Sequence, residues 1–214
     1  MSALTDLGGG IWRWTLRHPE WHPKTEFGAE VGCYAVHTDG GTVLIDPLFD
    51  GEIERELDTV VTGEVVVAVT IPYHVRSSAE AVGRWGGTIV GHPDVRRRLP
   101  DGTPFDGDED LPLGLVMHKV TRLKERPLEI SAIRALAFGD RLVGIDGGLR
   151  VWLDRPITDT RREWFRRTGA PAMHHLLDVD FDRALVTHGD PVLSGARQAL
   201  QDALSGEPWY HRPT

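Results

Sequence analysis

An apolar run of five residues is the feature that most constrains how this chain can fold. Val65–Val69 reads Val-Val-Val-Ala-Val, and a short run rich in β-branched residues predicts a buried strand. The loop at residues 71–76 follows it and leads into a helix predicted over residues 77–85. Loops that leave the C-terminal ends of buried strands commonly carry functional residues. This loop offers a phenol, an imidazole and a guanidinium, from Tyr73, His74 and Arg76.

The remaining pattern predicts strands followed by helices in both halves of the chain. The predicted strands cover residues 11–16, 32–38, 42–46, 64–70, 88–90, 115–123, 128–133, 135–143 and 184–187. The predicted helices cover residues 51–59, 77–85, 93–99, 159–168, 171–177 and 194–204. Two halves of this kind predict an α+β fold with two sheets packed face to face and helices outside. We expect a single domain over residues 1–214.

The composition indicates which kinds of partner this protein can bind and in which compartment we expect it. The formal net charge is −8, which argues against a nucleic-acid surface because phosphate binding needs clustered Lys and Arg. No apolar run approaches the length of a membrane span, and the chain does not open on a basic segment followed by an apolar stretch. We expect a cytoplasmic protein with a small-molecule ligand or substrate. The seven tryptophans leave a homodimer open.

The cysteine content excludes an internal disulfide and a metal site made of several thiolates. Cys33 is the one cysteine, so the chain can form no internal disulfide and no thiolate cluster around a metal. It lies in a strand-like stretch, where a lone thiol is usually a packing residue.

Four segments together resemble the metallo-β-lactamase superfamily. They are Thr42–Pro47, the strand that ends at Thr70, Ala137–Leu142 with its Gly139-Asp140 turn, and Leu185–Gly189, which contains His188. Their order and approximate spacing are similar to that superfamily over nearly the whole chain. The resemblance implies a four-layer αββα sandwich with an active-site groove along one edge of the two sheets. It also implies that Asp46 is a structural hydrogen-bond acceptor for the loop after Thr70.

The superfamily's metal motif is degenerate in this chain. The motif Thr-His-x-His-x-Asp-His, aligned on Thr70, places Ile71, Tyr73, Val75 and Arg76 where ligands belong. Isoleucine and valine have no lone pair, and arginine carries a repelling charge. Only Asp140 and His188 match ligand positions directly, and Glu129 is the nearest donor to the position of an intervening histidine.

Three interpretations of these residues remain open. In the first, His74 slips by one position and joins Asp140, His188 and Glu129 around one Zn, Fe or Mn ion. In the second, the residues are relics: Asp140 bonds the backbone of its turn, His188 caps a strand end, and Arg76 fills the vacated metal volume and pairs with Asp140. In the third, His74 or His188 is a general base without metal, and Tyr73 or Arg76 stabilises an oxyanion.

The leading functional hypothesis is a divergent metallo-β-lactamase-fold hydrolase of a small ester-like or anionic metabolite. His74, Asp140 and His188 would be its catalytic residues, and Tyr73 and Arg76 would bind the substrate, with Arg76 holding a carboxylate. The alternative is a non-catalytic binding protein that retains the groove without metal. Because folds host many functions, the fold resemblance alone does not decide between them.

Overall fold

The computed structural model describes residues 3–22, 28–120 and 124–210. The strands in these ranges are β1 (Thr5–Gly8), β2 (Ile11–Arg17), β3 (Glu30–His37), β4 (Gly41–Ile45), β5 (Glu64–Val69), β6 (Thr88–Gly91), β7 (Phe105–Gly107), β8 (Leu115–Met117), β9 (Leu128–Ile130), β10 (Ala135–Phe138), β11 (Leu142–Ile145), β12 (Gly148–Val151) and β13 (Arg183–Val186). The α-helices are α1 (Gly51–Val60), α2 (Ser78–Trp85), α3 (Asp159–Trp164) and α4 (Ala196–Ser205).

The strands form two main sheets and a hairpin. The first sheet has the order β1-β2-β3-β4-β5-β6-β7, antiparallel as far as β4 and parallel from β4 to β7. The second has the order β13-β10-β9-β8, with β10 and β13 parallel. Strands β11 and β12 pair as a separate hairpin.

The central run Val65–Val69 shows how the layers are built. Val66 and Ala68 pack between the two sheets. The alternate residues Val65, Val67 and Val69 pack outward, against α1 and α2. Each fully buried valine contributes about 1.5–3 kcal/mol, so this strand is committed to the centre of its sheet. The outer face of the second sheet is covered in turn by α4 and the segment at 165–178, which confirms the predicted αββα sandwich.

Several predicted elements differ in type or length. Pro93–Arg98 and Pro171–Asp178 form 3-10 rather than α-helices. The strand predicted over residues 115–123 ends at Met117, and its residues 121–123 lie outside the described part of the chain. The side chain of Ser77, which precedes α2, does not cap the helix, and its hydroxyl accepts the Phe49 amide instead.

The predicted absence of a membrane span agrees with the structure. Across the described ranges, every helix is too short or too polar to cross a membrane.

Both sheets end at the same edge, where the functional loops meet. Gly32 of β3 donates its amide to the carbonyl of Thr187, just after β13, at 2.7 Å. The Tyr34 hydroxyl donates to the Val186 carbonyl at 2.8 Å. These bonds hold the ends of β3 and β13 together, so the loops after β5, β10 and β13 open onto one space.

Candidate functional site

The loop after β5 places one side chain inward and its neighbour outward. Pro72–His74 forms a single 3-10 turn, and the His74 amide closes it on the Ile71 carbonyl at 2.8 Å. His74 is consequently 4% exposed, whereas Tyr73 is 50% exposed. The loop then bends at Arg76, whose φ of 40° lies in the left-handed region and costs a non-glycine residue about 1–2 kcal/mol.

Asp46, at the end of β4, holds this loop. Its carboxylate accepts the Thr70 amide at 2.8 Å and also the Thr70 hydroxyl. One carboxylate oxygen, Oδ2, lies 2.9 Å from Nδ1 of His74. Asp46 is 1% exposed, so these contacts replace its hydration. The structure therefore agrees with the structural role predicted for Asp46.

Asp140 brings three of the predicted site residues together. Its Oδ1 lies 3.2 Å from Nε2 of His74 and 3.3 Å from Nε2 of His188. Neither contact is aligned as a hydrogen bond, so both are close polar contacts. Its Oδ2 accepts the Tyr73 hydroxyl at 2.7 Å. Tyr73 and His74, from the loop after β5, and His188, from the loop after β13, thus surround one buried carboxylate.

Charge coupling sets the protonation of this cluster. Burial would raise the pKa of Asp140, but the imidazoles of His74 and His188 outweigh it and hold that pKa well below its ordinary value. For His74, burial and Arg76 act to lower the pKa, and the carboxylates of Asp140 and Asp46 outweigh them and raise it. Because both ring nitrogens of His74 face carboxylates, the ring is satisfied on both sides only as an imidazolium.

His188 is in the opposite state. Burial lowers its pKa, and the neighbouring Asp140 only partly opposes this effect. At neutral pH the ring is therefore an uncharged imidazole. The side chain faces Asp140, so the predicted role as a strand-end cap is wrong.

Arg76 does not pair with Asp140, and the relic interpretation is wrong on this point. Its Nη1 donates to the backbone carbonyl of Asp46 at 2.9 Å and lies 3.8 Å from Sγ of Cys33. The left-handed backbone at Arg76 directs the guanidinium back toward the end of β4. The Nε group is buried and has no hydrogen-bond partner among the described residues.

Cys33 is a packing residue, as the sequence predicted. It is fully buried, and burial raises the pKa of its thiol to about 11. The sulfur donates to the Asp46 carbonyl and accepts the Leu48 amide.

A buried carboxylate that sequence reasoning missed lies beside Asp140. Glu125 is 2% exposed and accepts the amides of Gly139 and Arg141, which flank Asp140, at 3.1 and 3.0 Å. The predicted relic role of Asp140 as the backbone acceptor of its turn is thus performed by Glu125. The signal was the antiparallel pairing of Leu128 with Ala137, which places Glu125 opposite Asp140 when it is extended by three residues.

Glu129 is not brought to the other predicted ligands. It lies on β9 opposite Leu136, and its carboxylate contacts Nε2 of His118 at 2.9 Å and accepts the Ser131 hydroxyl at 2.9 Å. A metal set that combines Glu129 with His74 is therefore not formed.

A cavity of about 310 Å³ opens over the Asp140 cluster. Its walls combine aromatic, imidazole and charged side chains. The lining residues are His18, Glu20, Trp21, Gly28, Val31, Tyr73, His74, Arg76, Asp140, Trp152 and His188. All of the predicted site residues except Glu129 line this one space, and Trp21, Trp152 and Val31 contribute to its apolar wall.

The donor set does not fit a metal ion. Ile71 and Val75 offer no lone pair, Arg76 is a cation, and Tyr73 gives its hydroxyl proton to Asp140. Both nitrogens of His74 face carboxylates. Within residues 3–22, 28–120 and 124–210, no group of three or more His, Cys, Asp or Glu side chains is arranged to hold a metal.

Comparison with solved structures identifies the fold. The DIM-1 metallo-β-lactamase superposes with a TM-score of 0.65 at 10% identity, over 94% of each chain. FIM-1 from Pseudomonas aeruginosa, in its mono-zinc form, gives 0.59 at 14% identity over 95% of this chain and 96% of its own. The metallo-β-lactamase from Pontibacter korlensis gives 0.63 at 18% identity over 94% and 96%. No protein-family model and no curated protein matches the sequence.

The protein therefore has the metallo-β-lactamase fold. At these identities the likeness defines the fold alone, and the activity of the relatives does not pass to this chain with it.

Proposed function

We propose that the cavity binds a small organic anion without a metal ion. The observation that carries this proposal is the state of Arg76. Within the described residues it forms no ion pair, and its buried Nε has no hydrogen-bond partner. A half-buried guanidinium that faces only a carbonyl oxygen and a thiol lacks a counter-charge. A ligand carboxylate or phosphate would supply both the charge and the acceptor.

Apart from Glu20, which also lines the cavity, the other charges of the site support an anion rather than a cation as ligand. His74 lies between Asp46 and Asp140, so each carboxylate already faces a positive imidazolium. Tyr73 also donates to Asp140. The acidic groups of the cluster are therefore largely compensated from within, whereas Arg76 is not.

The walls indicate that the anion carries an aromatic or apolar body. Trp21, Trp152 and Val31 line the cavity beside Arg76. Burial of apolar ligand surface against such walls is favourable. A volume of about 310 Å³ admits a molecule the size of a substituted benzoate.

Benzoate is a direct probe, because it joins a carboxylate to an aromatic ring. We expect saturable quenching of tryptophan fluorescence by benzoate, and little quenching by the neutral benzyl alcohol. The Arg76→Gln variant should lose the benzoate response. Arg97→Gln is the matched control, since the Arg97 side chain is 83% exposed, and it should bind as the unaltered protein does. Equal binding by both variants, or none by the unaltered protein, would contradict the proposal.

Hydrolysis of an ester-like metabolite is a second candidate, favoured by the uncharged imidazole of His188. It lines the cavity, and Asp140 lies 3.3 Å from its Nε2. A neutral imidazole can accept a proton from an attacking water. The test is the release of p-nitrophenol from p-nitrophenyl acetate. Turnover that His188→Ala abolishes would support hydrolysis, and a rate equal to that of buffer would exclude it for this ester.

A further inference from the structure

We propose that Glu125 is a positioning residue, which holds Asp140 in the orientation that gathers Tyr73, His74 and His188. The inference deepens the proposed function, since Asp140 lines the proposed binding cavity. Glu125 itself is not among the lining residues, and its hydrogen bonds reach the cavity through the turn that carries Asp140.

The geometry clamps the turn on both sides of Asp140. Oε1 of Glu125 accepts the amide of Gly139, and Oε2 accepts the amide of Arg141. One carboxylate therefore fixes the two peptide groups between which Asp140 sits. Because both amides bind the same side chain, the two hydrogen bonds together select one conformation of the turn.

Glu125 is itself anchored to the loop that carries His74. The amide of the next residue, Arg126, donates to the Thr70 carbonyl at 2.7 Å. The Arg126 side chain pairs with Asp108 at 2.6 Å, where both side chains are less than a tenth exposed. Thr70 in turn bonds Asp46. A continuous set of contacts thus runs from Asp46 through Thr70 to Glu125 and on to Asp140.

The close approach of Thr70 and Ile71 to this turn requires glycine at position 139. A Cβ atom there would lie 2.8 Å from the Thr70 hydroxyl, 3.2 Å from Cγ2 of Ile71 and 3.4 Å from Cδ of Glu125. A larger residue would push the turn away from both the loop and the carboxylate. The glycine and the glutamate therefore act together to place Asp140.

The Glu125→Gln variant tests this role with little change in volume. Its amide group presents N–H to one of the two backbone amides, which removes an acceptor and should release one side of the turn. Glu129→Gln is the matched control, because Glu129 is a partly exposed glutamate that contacts His118 instead.

The readout is the ring ¹⁵N spectrum of His74 and His188, recorded without ligand. We expect Glu125→Gln to shift the ring signals of both histidines and Glu129→Gln to leave them in place. In an Asp140→Ala background, which leaves no side chain at 140 for the turn to orient, Glu125→Gln should add little further shift, because its effect passes mainly through Asp140. Unchanged signals in a folded Glu125→Gln variant would overturn the proposal, as would the same shift in the Asp140→Ala background.

Two features keep this test decisive. If Glu125→Gln does not fold, Glu125→Asp retains the charge but is one methylene too short to reach both amides, and the same shifts are expected. Because no ligand is added, failure of benzoate to bind would count against the proposed function and leave the test of Glu125 intact.

Discussion

Nδ1 of His74 lies 2.9 Å from Oδ2 of Asp46 in the interior, where the two side chains are 5% and 1% exposed. The opposite nitrogen of the same ring lies 3.2 Å from Asp140. The imidazole thus joins the carboxylate at the end of β4 to the carboxylate after β10, and so links the two sheets. The site balances its buried charges with its own side chains.

Removal of His74 should therefore leave two buried carboxylates facing each other. We expect His74→Ala to lower the free energy of unfolding by about 3–5 kcal/mol, the usual effect of breaking a buried ion pair on one side. Urea denaturation measures it. The control is His118→Ala, which removes a pair with Glu129 whose side chains are about a fifth exposed and should cost about 1 kcal/mol. Similar losses for the two variants would show that His74 is not a buried counter-ion.

Because the backbone at Arg76 is left-handed, substitutions at this position should affect stability and ligand binding differently. Glycine adopts a φ of 40° without the steric penalty that alanine incurs. We expect Arg76→Gly to be more stable than Arg76→Ala by about 1 kcal/mol, with both variants unable to bind benzoate. Thermal unfolding and fluorescence titration check the two parts. A glycine variant less stable than the alanine variant would mean that the strain at Arg76 is absent.

Glu125 should give the protein a distinctive pH dependence. Burial is the main cause that raises its pKa from an ordinary value of 4.5 to about 7, and Asp140 adds to it. Between these values the folded state holds the Glu125 proton more tightly than the unfolded chain does. The contribution of the Glu125 proton to the free energy of unfolding is therefore complete below about pH 4.5. It amounts to about 3 kcal/mol and is lost as the pH rises through 7.

The Glu125→Gln variant isolates the pH-dependent contribution of Glu125 to stability, because glutamine does not titrate. The difference in unfolding free energy between the unaltered protein and Glu125→Gln should decline from pH 4.5 to pH 8 in urea denaturation. A difference that stays constant across this range would place the Glu125 pKa near its ordinary value.

Cys33 should be unreactive until the protein unfolds. A thiol with a pKa near 11, fully buried under β4, presents almost no thiolate at neutral pH. We expect no reaction with 5,5′-dithiobis(2-nitrobenzoate) in buffer and one equivalent in denaturant. Rapid labelling of the folded protein would show that the end of β4 opens.

The sequence predicted the layers well because the pattern of β5 is physically unambiguous. A strand buried on both faces has to be covered on both sides, which Val65–Val69 already implied, and the resemblance to the metallo-β-lactamase superfamily implied that a second sheet covers one side and helices the other. The convergence of His74, Asp140 and His188 could also be predicted, because their loops follow strands that end at one edge.

The roles of Arg76, Glu125 and Glu129 were not predicted correctly, because they follow from backbone geometry that the residue types do not encode. The direction of Arg76 follows from a positive φ in a residue other than glycine, which no local signal marked. Glu129 was predicted as a site residue, and Glu125 was not, because the residue types do not fix the register between β9 and β10. Glu125, three residues before β9, binds the Asp140 turn, whereas Glu129, on β9, pairs with His118.

Metal analysis of protein purified without chelator tests the central claim most directly. Because His74 and Arg76 supply the positive charge of the site, we expect metal far below one equivalent by plasma mass spectrometry. Added Zn²⁺ or chelator should leave the unfolding temperature unchanged. One equivalent of zinc, iron or manganese that disappears in His188→Ala would contradict the account.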